Sequence, residues 1–72
     1  MPKLPGLKSQ EVARMLEQAG FSFARQKGSH RIYTKGSVGV VVPWHNKDLK
    51  KGTLRKIITQ AGFTVEEFLQ LR

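Results

Sequence analysis

The sequence contains no cysteine. A disulfide framework, a common support for domains too short to bury much surface, is therefore excluded, and a reducing compartment fits. Structural zinc is not expected either. The two histidines, His30 and His45, have only Asp48 near them in sequence, and a closed site needs four ligands. No stretch approaches the ~20 apolar residues of a membrane span, and the N-terminal MPKLPGLKS has no apolar run of the signal-peptide kind. These absences lead to the expectation of one cytoplasmic domain over residues 1–72, with no metal and no other cofactor. Several chemistries lack their parts: there is no Gly-rich P-loop, no Cys nucleophile, no GxSxG elbow and no carboxylate pair beside the histidines.

Acids are scarce too, with five Asp and Glu against thirteen Lys and Arg. Nine of the cations fall between residues 25 and 56, where Asp48 is the only acid, so the whole net charge of +8 sits in that window. The flanking segments cancel. Such a concentration attracts a polyanion, through phosphate contacts whose strength falls steeply with salt.

The apolar pattern supplies the elements. Ser9 is a candidate N-cap, and Val12, Met15, Leu16 and Ala19 follow at i, i+3, i+4 and i+7 before Gly20 supplies a left-handed stop. Leu54, Ile57, Ile58 and Ala61 repeat that spacing, and Gly62 repeats the stop. The likeness of EQAGF to TQAGF is read as convergence of two capped helices, because the segment between them has no second copy. Thr64 and Glu67 form a capping box opening a short last helix, with Val65, Phe68 and Leu69 inward. Between the helices the period changes to two, in FSFAR, HRIYT and VGVVVP, with hairpin signals at Gly28 and Gly36. The expected fold is α+β: helix, three-stranded antiparallel sheet, helix and a short helix, with the longer helices on one face. A hairpin about Gly36 brings His30 near Val42 and Pro43, with Trp44 and His45 just beyond.

The groups able to do chemistry gather at that sheet end. His30 follows the Gly28–Ser29 corner, whose amides and hydroxyl can approach a phosphate, and stands between Lys27 and Arg31. Histidine is the side chain best suited to proton transfer near neutral pH. RNA carries its own nucleophile, the 2′-OH, so a base, an acid and a cationic clamp suffice to cut it. The residues alone leave His30 open between such a role and a polar strand-edge position. Trp44 is open between a stacking platform and a piece of core. His45 is open between proton transfer, phosphate donation and capping a turn. Lys47, Lys50, Lys51, Arg55 and Lys56 surround a helix start, where cations oppose the dipole unless an anion is bound.

GSHRIY, VVVPWH and KKGTLRKIITQAGFTVEEF, in this order, resemble the HicA-type toxins, small mRNA interferases of bacterial type II toxin–antitoxin pairs. The likeness runs from Lys8 to Leu69. It implies a fold like the double-stranded RNA-binding domain, α-β-β-β-α, and a catalytic histidine in the G-S-H motif, here His30. It also implies a HicB-type antitoxin that covers the toxin and joins it to operator DNA, so that DNA is met only through the antitoxin. The resulting expectation is a metal-independent endoribonuclease acting on mRNA, with RNA contacts from Lys27, Gly28, Ser29, Arg31, His45, Lys50, Lys51 and Arg55. A non-catalytic module for structured RNA, or the basic half of a DNA-binding complex, are the alternatives.

Overall fold

A computed structural model describes residues 3–72. Its order is α1 (Ser9–Gln18), β1 (Ser22–Lys27), β2 (His30–Lys35), β3 (Val38–Pro43), α2 (Lys51–Ala61) and α3 (Val65–Leu69). The strands form one antiparallel sheet in the order β1-β2-β3, so the α+β layout read from the sequence is the one observed.

Both hairpins close through Gly-Ser. Gly28 and Gly36 have φ of 58° and 59°, and among the described residues none other than glycine has positive φ. A two-residue loop with positive φ at its first residue, a glycine, and negative φ at its second, a serine, has the φ pattern of the type II′ turn, whose twist matches that of the flanking strands. The turn fixes the register: His30 pairs with Pro43, Ile32 with Val41 and Tyr33 with Val40. Between β1 and β2, Lys27 pairs with His30, and a bulge between Phe23 and Arg25 shifts the ladder.

Strand alternation then divides the sheet. Tyr33, Val40 and Val42 are buried on one face, against the helices. α1 and α2 pack chiefly on β3, which leaves β1 exposed along its whole length. The apolar run VGVVVP thus hides a two-residue period, and Val41 on the other face stays 43% exposed. Phe23 is 49% exposed, in edge-on contact with Tyr33 at 5.8 Å between centroids.

The helices bury the stripes their spacing announced. Val12, Met15 and Leu16 of α1 and Leu54, Ile57 and Ile58 of α2 are buried. Each such side chain contributes ~1.5–3 kcal/mol by leaving water. Both helices end alike: the Phe21 and Phe63 amides reach back to the carbonyls of Leu16 and Ile58 at 2.9 and 3.1 Å. The Thr64 capping box is present, with Glu67 N–H donating to Thr64 Oγ1 at 3.1 Å and Thr64 N–H donating to Glu67 Oε1 at 2.9 Å.

Two features depart from the sequence reading. Ser9 does not cap α1; Lys8 holds the cap position, and Ser9 lies inside the first turn with 1% of its surface exposed. Its hydroxyl instead donates to the Pro43 carbonyl at 2.6 Å and accepts from the His45 amide at 3.3 Å, clipping the end of β3 to α1. The N-terminal segment, apolar only at isolated positions, also supplies core. Leu4 and Leu7 are buried, and Leu7 accepts from the Leu49 amide at 2.8 Å. Gly6 permits this approach, because a Cβ there would run into the Asp48 carboxylate.

Candidate functional site

His30 opens β2, and its exposed side chain lies on the face of the sheet turned away from the core. On that open face, pairing places Lys27 beside His30 in β1, Pro43 beside it in β3, and Arg25 beside Ile32. α2 runs along the β3 side and closes a groove of about 410 Å³ whose walls include His30, Val41 and Pro43 on the sheet and Thr53, Lys56 and Gln60 on the helix. Thr53, Lys56 and Gln60 recur at i, i+3 and i+7, a polar stripe flanking the buried stripe of Leu54, Ile57 and Ile58. An imidazole therefore shares a groove with an ammonium, a hydroxyl and a carboxamide. That set can transfer a proton, hold a phosphate oxygen and hydrogen-bond a base.

The other face takes the neighbouring residue, as alternation demands. The Arg31 guanidinium lies 3.8 Å from the centroid of the Trp44 ring and 5.5 Å from that of Phe23. Its Nε donates to Gln26 Oε1 at 3.0 Å, and Gln26 Nε2 donates to the Gly28 carbonyl at 3.0 Å. Arg31 therefore braces the β1–β2 turn and stacks on Trp44; it does not share the face of His30. Trp44 packs against the core, one of the two readings open for it, and its ring carries the Arg31 guanidinium.

His45 lies at the same sheet end but in another groove, with Trp44, Asn46 and the Lys8 and Gln10 side of α1. Its Nδ1 accepts the Lys47 amide at 3.2 Å, which caps the turn after β3. Ser29 is tied through its carbonyl to the Trp44 amide at 2.6 Å, extending the β2–β3 ladder past His30. Lys50 and Lys51 stand at the start of α2, which has no side-chain cap and no acid in its first turn. Lys51 and Arg55 project about 100–180° around the helix from the Thr53–Lys56–Gln60 stripe, given 3.6 residues per turn.

A family model described as HicA toxin of bacterial toxin–antitoxin matches residues 9–63, which span α1 to the end of α2 and include His30. The chain belongs to the HicA toxin family. A search of curated proteins finds no match. Membership makes this HicA-family chain the toxin half of a toxin–antitoxin pair, with an antitoxin as partner. No helix among the described residues is long and apolar enough to cross a membrane.

Of the residues expected to act with His30 in this HicA-family chain, the fold groups Lys27, Gly28 and Ser29 around it. It sends Arg31 to the reverse face, His45 to a separate groove, and Lys51 and Arg55 to the far flank of α2. Sequence reasoning counted Lys56 only as one of several helix-start cations and passed over Thr53 and Gln60. Their i, i+3, i+7 spacing beside the apolar stripe was the available signal, but it names a flank without naming what that flank faces.

Proposed function

We propose that this HicA-family toxin is an endoribonuclease that cleaves mRNA by internal attack of the ribose 2′-OH, with His30 as the proton-transfer residue. The observation that carries this reading is the position of His30: exposed, at the wall of a groove on the open face, with Lys27 on one side and Lys56 on the other. In the reaction the imidazole takes the proton of the 2′-OH as its oxygen bonds to phosphorus. The P–O5′ bond breaks, and the departing 5′-oxygen takes a proton from solvent, to which the groove is open. The products are a 2′,3′-cyclic phosphate and a 5′-hydroxyl. The two ammonium groups offset charge that builds on the non-bridging oxygens, where an added donor is worth most. Lys50, Lys51 and Arg55, on other surfaces, add to the field that draws RNA in.

The antitoxin in this proposal is an acidic HicB-type protein covering residues 25–56. Opposite charge speeds association and suppresses binding to wrong partners.

The test is His30→Ala with RNA of varied sequence. Proton transfer by a positioned group contributes ~10²–10⁴ in rate. Cleavage should fall by that factor while RNA binding and folding persist, and RNA blocked at the cleavage-site 2′-OH should bind uncut. Cleavage at the wild-type rate by His30→Ala would refute the catalytic role and leave a binding module.

A further inference from the structure

The groove between the sheet and α2 holds more than a proton-transfer group. We infer that it is the binding site for one nucleotide of single-stranded RNA, with Lys56 clamping the phosphate to be cut and Gln60 reading the adjoining base. The inference rests on the ribonuclease reading of His30 and adds the residues that position and choose the substrate.

Size is the first argument. About 410 Å³ lies near the small end of the ~300–1,000 Å³ usual for ligand pockets, which suits a nucleotide and not the breadth of a duplex. The sheet leading to it is three strands wide, roughly 10 Å at ~4.8 Å between strands, a track for one chain.

The second argument is the sequence of chemistry across the site. Arg25 and Lys27 on β1 precede the groove, His30 of β2 stands on its near wall, and Lys56 stands on its far wall. A backbone crossing from β1 to α2 therefore meets a cation on each side of the imidazole. Val41, large and 43% exposed, gives a ribose or base an apolar seat between these groups. Lys56 and Gln60, though next to the buried Ile57, are themselves exposed, so neither is needed to fill the core.

Third, the groove supplies a reader but no aromatic ring apart from the His30 imidazole, which the proton transfer already occupies. The exposed Phe23 ring and the half-buried Trp44 ring, with the Arg31 guanidinium against both, are on the reverse face. Sequence-tolerant binding of single strands relies on such rings. Without one, discrimination falls to hydrogen bonds on a base edge, and a carboxamide offers both donor and acceptor for that purpose.

The experiment measures binding of a short single-stranded RNA carrying 2′-O-methyl groups, and cleavage of a randomised RNA pool. Wild type, Lys56→Gln, Gln60→Ala and Arg14→Gln are compared, the last removing one exposed charge from α1. Lys56→Gln should weaken binding at least tenfold and flatten the salt dependence by about one phosphate contact. Arg14→Gln should change affinity less than twofold, and both should melt near wild type. Gln60→Ala should broaden the base preference at one position beside the cut, read as the relative cleavage rates of the four bases there. Equal binding losses for Lys56→Gln and Arg14→Gln, or an unchanged cleavage profile for Gln60→Ala, would overturn the inference. If wild type and His30→Ala cut no RNA but Lys56 still governs binding, the ribonuclease reading fails and the nucleotide site stands. If cleavage depends on His30 and ignores Lys56 and Gln60, the site fails and the ribonuclease reading stands.

Discussion

Ser9→Ala tests how the sheet end that carries His30 is held. The hydroxyl is buried, donates to the Pro43 carbonyl at 2.6 Å and accepts the His45 amide at 3.3 Å. Pro43 is the register partner of His30, so the clip fixes the β3 end against which the imidazole stands. Alanine removes both bonds and leaves a carbonyl and an amide without their partner. A buried polar group left unpaired costs ~1–3 kcal/mol, against ~0.5–1.5 for the net value of a satisfied bond. The 3.3 Å bond is long and both groups are only partly buried, which places the sum at about 2 kcal/mol. At 4–8 °C per kcal/mol for a domain of this size, the melting temperature should fall by roughly 8–16 °C. Gln10→Ala, at the exposed neighbouring position, should shift it little. Thermal unfolding followed by circular dichroism gives the magnitude, and hydrogen exchange should show faster exchange at the His45 amide. A Ser9→Ala loss under 0.5 kcal/mol, with unchanged exchange there, would refute the clip.

Four further outcomes are expected. Gly28→Ala forces a left-handed φ of 58° on a residue with a Cβ, and although nothing crowds that Cβ it should cost ~1–2 kcal/mol by denaturant titration. Arg31→Ala should destabilise by ~1–2 kcal/mol through loss of its stacking on Trp44 and its bond to Gln26, while cleavage chemistry at saturating RNA stays near wild type, since Arg31 faces away from His30. His45→Ala should reduce cleavage far less than His30→Ala, because His45 Nδ1 is occupied in a turn cap; equal losses in single-turnover rates would make it an acid–base partner. With about four phosphate contacts, log K for single-stranded RNA should fall against log salt with a slope near −3, at ~0.7 per contact, and the Lys50→Gln, Lys51→Gln double variant should be shallower.

The sequence by itself determined the elements. Apolar residues three and four apart can only form one stripe when the chain is helical, glycines past each stripe accept the left-handed stop, and two Gly-Ser pairs set two-residue hairpins. The hairpin signal at Gly36 made it legible that the His30 end of β2 meets the Pro43 end of β3, whereas the register to the residue, and with it the face each side chain takes, was decided by the fold. The localisation of charge was legible as well, being a count. Sequence adjacency failed for side-chain direction. His30 and Arg31 are consecutive in a strand, and successive side chains leave opposite faces, so one borders the groove and the other stacks on Trp44. Ser9 resembled a cap because its type and position fit one; that it spans to Pro43, 34 residues away, depends on how α1 seats against β3. Most of all, only the tertiary structure decided which flank of α2 meets the sheet. The helix carries cations on both sides of its apolar stripe, and rotation about that stripe is set by how Leu54, Ile57 and Ile58 pack beneath it. That packing turns Lys56 and Gln60 toward His30 and Lys51 and Arg55 away, a choice made by long-range burial that no local spacing records.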